Sequence, residues 1–124
     1  MSHIERVRVS VTTTGNAGSA TGSADTEAVN GFYLGAYLNY HASAPGTTDV
    51  TISTQNPSNG NLQVISNANT DAFVSCLNQA QDAAGAAITA SFVQRPVSGN
   101  VRVALAQCDA LTDALVADLY FLIP

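Results

Sequence analysis

Lysine and tryptophan are both missing from this sequence, and only 10% of its residues are charged, where an ordinary soluble domain has about a quarter. Four arginines (Arg6, Arg8, Arg95, Arg102) face nine acids for a net charge of −5, so a non-specific grip on phosphate is unsupported and nucleic acid is not an expected partner. Without lysine the glycine-rich stretch from Gly15 to Gly22 lacks the cation of a phosphate loop. No run of about 18 apolar residues spans a bilayer, and no basic-then-apolar segment opens the chain as a signal peptide would. The expectation is synthesis in the cytosol, no membrane partner, and a mature fold beginning at Met1.

Chemistry is scarce as well. Cys76 and Cys108 are the only cysteines, too few for a disulfide scaffold and too far apart for a metal knuckle, so buried free thiols are expected. The histidines, His3 and His41, belong to no His-x-His, Cys-x-x-Cys or His-Glu-x-x-His spacing. Cys76 and His41 can be imagined as a nucleophile pair, but Phe73, Val74 and Leu77 surround the cysteine with apolar groups that raise a thiol pKa. Core packing is the expected role. Asp109 and Asp113 flank a turn without the alternating oxygen ligands and glycine of a calcium loop. The sequence therefore offers no catalytic residue, no metal site and no cofactor.

What is present reads as β-structure. The 46% hydrophobic content suffices for one core, and the length fits one domain, 1–124. In Arg6 to Thr12 valines alternate with arginine, serine and threonine, a half-buried strand. Residues 13–26 are small and glycine-rich, either a linker or a strand from Ser19 to Ala24 where another backbone approaches closely; the second reading is favoured because there is little to link. From Gly31 to His41, Leu34, Ala36, Leu38 and Tyr40 share one face and Tyr33, Gly35, Tyr37 and Asn39 the other, so both faces have something to cover. Ala44-Pro45-Gly46 ends that strand. Asp49 to Thr54 alternates with Val50 and Ile52 inward, the Asn59-Gly60 step signals a hairpin, and Leu62 to Ser66 is its return strand.

Residues 67–90 are less regular. Phe73 to Leu77 reads as a short strand followed by a long alanine-rich loop, with a helical turn capped at Thr70 or Asp71 as the rival. Ser98-Gly99-Asn100 reads as a turn into the strand Val101 to Leu105. Asp109 to Asp113 turns again, and Leu115 to Leu122 fits either a closing strand or a helix, the strand being preferred. The sum is an all-β chain, an antiparallel β-sandwich or jelly roll of about seven to eight short strands.

Several of these segments carry a resemblance. Thr12 to Ala24, the Gly31 to His41 strand continuing to Ile52, Ser66 to Asp71, Asp82 to Ile88 and Val101 to Gln107 resemble small structural proteins of tailed bacteriophages, among them the capsid decoration or cement proteins. The resemblance implies a non-catalytic β-module, often a homotrimer, sitting on the virion's capsid surface and clamping neighbouring subunits of the major capsid protein. It also implies a terminal arm in contact with the capsid, here residues 1–8, with Ile4 as apolar anchor and Arg6 and Arg8 meeting acidic surface. Tyr33 and Tyr37, on the two-sided strand, are the further candidates for a capsid or subunit interface. The neutral Thr, Ser, Asn and Gln surface suits packing in a crowded shell, although a low-lysine genome would also produce it. The alternative is a carbohydrate- or receptor-binding module of a tail or fibre, using Tyr33, Tyr37 and Tyr120.

Overall fold

A computed structural model describes residues 2–56, 60–76, 78–81 and 83–124. Alternating branched and polar residues become ten strands, with no helix among the described residues. They are β1 (His3–Val11), β2 (Ala20–Asp25), β3 (Val29–Tyr40), β4 (Asp49–Asn56), β5 (Gly60–Ile65), β6 (Ala72–Ser75), β7 (Asn78–Gln81), β8 (Ala87–Val93), β9 (Arg95–Cys108) and β10 (Leu115–Ile123). All pairings are antiparallel.

Two sheets form a sandwich. Sheet I runs β1-β10-β3, and the far side of β3 is shared by the first part of β9 and by β6. Sheet II runs β2-β9-β4-β5. One strand belongs to both: β9 pairs β3 through Arg95 to Gly99, then β4 from Asn100 to Ala106. The segment Ser98-Gly99-Asn100, expected as a turn, is therefore the place where a continuous strand changes sheets. Gly99, at φ 124°, allows the bend. Thr26 pins the corner, its hydroxyl accepting the Val101 N–H at 3.1 Å while its own N–H donates to the Val101 carbonyl at 2.8 Å.

The core is the alternate set from each strand. Val9, Val11, Ala36, Leu38, Leu115, Ala117, Leu119 and Phe121 face inward from sheet I, and Val50, Ile52, Leu62, Val101, Val103 and Leu105 from sheet II, all buried. At roughly 1.5–3 kcal/mol for each large side chain removed from water, this layer is the main stabilising term. Both cysteines are buried and outside any disulfide, and the Cys76 thiol donates to the Leu62 carbonyl at 3.2 Å.

Several expectations change. The segment 1–8, expected as an arm, is from His3 onward the outer strand of sheet I, paired residue by residue from His3 with Ile123 to Val11 with Leu115. Val7, Val9 and Val11 give it an apolar face that only a sheet can cover. The long loop expected after Leu77 contains the β7-β8 hairpin; Leu77 and Asp82 lie outside the described residues, as does Asn59 of the expected Asn59-Gly60 hairpin step. The small-residue strand is present as β2, and a Cβ on Gly22 would collide with the Thr12 carbonyl, which is the close backbone approach expected there.

Tyr33 changes most. Continuous alternation along β3 would place it with Tyr37, but Tyr33 pairs with Phe121 and Gly35 with the adjacent Tyr120, so Leu34 is an extra residue opposite a single step of β10. This bulge reverses the facing of everything before it. Tyr33 is consequently fully buried, its ring 5.8 Å from that of Phe121 and its hydroxyl donating to Gln63 Oε1 at 2.8 Å. Burial raises its pKa and keeps the phenol protonated. It is a core residue and is not available at a surface.

Candidate functional site: the outer face of sheet I

Every residue on the outward side of sheet I follows from the register. Ile4, Leu122, Phe32 and Pro96 form one row across β1, β10, β3 and β9. Arg6, Tyr120 and Gly35 form the next, and Arg8, Asp118, Tyr37 and Phe73 the third, ending on β6. Ser10, Val116 and Asn39 form a fourth row, Ser75 of β6 follows Gly35 in the second, and the exposed pair Asn30 and Ser98 lies beyond Phe32 and Pro96.

An outward face normally carries polar residues; this one sets large apolar side chains among Arg6, Arg8, Asp118, Ser10 and Asn39. Ile4 is 65% exposed, Phe73 55%, Tyr37 39% and Phe32 36%, four of the six large apolar side chains that stand open among the described residues. With strands about 4.8 Å apart and same-face residues about 6.8 Å apart, the face covers on the order of 500 Å². Apolar side chains share that area with the charged and polar ones, and their clustering on one side of a domain makes the face a candidate interaction surface.

Its geometry is fixed by the bulge. Gly35 has φ 150°, and a Cβ there would lie 2.5 Å from the Val74 carbonyl and 3.2 Å from Phe73 Cζ. Absence of a side chain lets Phe73 cross the glycine and meet Tyr120, ring centroids 5.8 Å apart at 61°, an edge-to-face contact. The Leu34 carbonyl accepts the Cys76 N–H at 3.0 Å, tying β6 to the same irregularity.

Charge on the face is sparse and ordered. Arg8 Nε donates to Asp118 Oδ1 at 2.8 Å and Nη2 to Oδ2 at 3.2 Å. The guanidinium bonds, then its charge and that of Arg6, hold the Asp118 carboxyl below its ordinary range against the opposing effect of desolvation. The Arg6 side chain makes no hydrogen bond or ion pair among the described residues and remains a cation available to a partner. No group of three or more His, Cys, Asp or Glu among the described residues is placed to hold a metal ion.

Of the residues singled out in the sequence, the structure brings Ile4, Arg6, Arg8 and Tyr37 onto this one face and removes Tyr33 from it. Phe32, Phe73 and Leu122 were missed, while Tyr120 was named only for sugar binding. Phe32 was hidden because unbroken alternation assigns it to the core; the available signal was Gly35, since a glycine inside a strand marks a bulge or a close approach.

Fold and face together define a β-sandwich domain with an open apolar and aromatic sheet surface. No family model matches the chain, and no curated protein does. Among solved structures it is similar to mutants of CBM29-2, a family 29 carbohydrate-binding module. One has a TM-score of 0.34 at 11% identity, and another, complexed with cellulohexaose, has 0.35 at 10%; each match covers 96% of this chain and 78% of that one. Likeness at that level carries no information about function.

Proposed function

We propose that this chain is a non-catalytic virion protein, a decoration or cement protein that binds the outside of a phage head through the outer face of sheet I and stabilises contacts between major capsid subunits. The observation that carries the reading is the exposed set Ile4, Phe32, Tyr37 and Phe73, with half-buried Tyr120, on one side of sheet I. Such a surface is suited to another protein, with a desolvated aromatic centre and a charged rim at Arg6 and Arg8. The phage context comes from the resemblance of the turn and strand segments quoted above.

A face on the order of 500 Å² is smaller than the roughly 800 Å² each partner contributes to a standard stable complex. A homotrimer offering three such faces gains effective concentration for its second and third contacts, which supports the oligomer that the resemblance implies. The test is light scattering of the purified chain and its sedimentation with heads that lack it. A trimer that pellets with the heads is the expected result, and a monomer that does not pellet contradicts it.

A second reading is a carbohydrate- or receptor-binding module of a tail or fibre, favoured by Tyr37, Phe73 and Tyr120 standing beside the Arg8–Asp118 pair. It ranks below the first because Phe73 and Tyr120 meet at 61° and do not make one flat shelf for stacked sugar rings. Binding on a glycan array would promote it, and an array with no hits would remove it.

A further inference from the structure

β1 is bonded to β10 along one side, and among the described residues no backbone group bonds its other side. Towards Val11 this side is flanked by β2, whose Gly22 lies against the Thr12 carbonyl, but beside residues 5–8 it faces a cleft, and an unpaired edge is a template for a further strand. The cleft is open, about 490 Å³ in volume, and walled by Glu5, Arg6, Val7 and Arg8 of that edge and, opposite them, by residues 25–29. Partly buried Val7 and buried Val29 supply its apolar lining.

Charge selects the occupant. Two copies of β1 joined antiparallel in one sheet keep outward residues opposite outward residues. Registers centred on residue 6, 7 or 8 then set arginine against arginine, and a register centred on residue 5 sets Glu5 against Glu5. Like charges directly opposed destabilise a strand pair, so the four registers that would overlap most of residues 5–8 are disfavoured for a second copy of the chain. Glu5, Asp25 and Glu27 also line the cleft, Asp25 being held by Arg102. The strand that suits it therefore carries one acid, opposite Arg6, whose side chain lacks a hydrogen-bonding or ion-pair partner among the described residues, and an apolar residue opposite Val7.

We propose that an extended segment of the shell protein adds to the open edge of β1 as a further strand of sheet I, its acid meeting Arg6 and its apolar neighbour covering Val7. The proposal rests on the capsid reading above and deepens it. Ile4, Arg6 and Arg8 belong to both the edge and the outer face, so the added strand continues the same contact and enlarges it.

Hydrogen exchange on the full chain, free and bound to heads lacking it, reads the edge directly. The expected result is at least about tenfold slower exchange of those amides in residues 3–8 that point away from β10, because an open-edge N–H acquires a carbonyl partner. Arg6→Glu is expected to lower affinity for the heads about tenfold or more, as loss of a complementary charge does. Binding with β1 exchange as fast as in the free chain overturns strand addition and leaves the capsid reading in place. Unchanged affinity of Arg6→Glu overturns the acidic occupant. Failure of the wild-type chain to bind heads overturns both proposals.

Discussion

Arg8 on β1 holds Asp118 on β10 through two parallel hydrogen bonds, 2.8 and 3.2 Å long, across the outer face of sheet I. The pair ties the edge strand to its neighbour on the side where no core residue does so. Because the folded state lowers the Asp118 pKa, the unfolded chain binds more protons as pH falls through the carboxylate range. The stabilisation is complete above the ordinary aspartate value of about 4 and is lost as pH falls through the lower, folded value. Arg8→Gln is therefore expected to be less stable than wild type at pH 7, with the gap closing below about pH 4. Urea titrations at pH 7, 4 and 2.5 check this, and a gap that widens with acid contradicts it.

Gly35 is the residue that the bulge cannot do without. Gly35→Ala adds a Cβ within 2.5 Å of the Val74 carbonyl at a φ of 150°. The expected loss is about 2 kcal/mol or more, since positive-φ strain and overpacking act together. Equilibrium unfolding measures it. A loss under about 0.5 kcal/mol, the size of an ordinary surface change, would show that the bulge relaxes freely.

Two buried tyrosines should respond oppositely to loss of a hydroxyl. The Tyr40 hydroxyl is buried with no partner among the described residues, so Tyr40→Phe is expected to stabilise by about 1 kcal/mol, the lower end of the cost of an unsatisfied polar group. Tyr33 donates to Gln63, so Tyr33→Phe strands an acceptor and costs about 1 kcal/mol. Thermal unfolding of both variants, read side by side, tests the pair of signs.

On the outer face, Tyr37→Ser and Phe73→Ser are expected to weaken attachment to heads by about thirtyfold each, the effect of a central aromatic anchor, while unfolding midpoints move little. Val64→Ser, exposed on sheet II, serves as the control and should leave attachment unchanged. Pelleting assays across a concentration series measure all three.

Legibility in the sequence followed the strength of the alternation. Arg6 to Thr12 and Leu115 to Leu122 have a regular period of two and became β1 and β10 with the expected inward residues. Residue facing failed at Tyr33 because one extra residue, Leu34, inverts a pattern that is otherwise intact. The β7-β8 hairpin was hidden by small side chains that give no periodic contrast, and the sheet change at Gly99 has the same residues as a turn. Ile4, Arg6, Arg8 and Tyr37 were found as site candidates, but not as one surface, since their juxtaposition depends on the pairing of β1 with β10 and of β10 with β3.

The central claim is that the outer face of sheet I is the capsid-binding surface. An electron-microscopy reconstruction of heads carrying the chain tests it most directly. The expected density is a trimer over local threefold or pseudo-threefold positions, with Ile4, Phe32, Tyr37 and Phe73 turned toward the shell. Density on the tail, or a chain on the head with that face open to solvent, would contradict it.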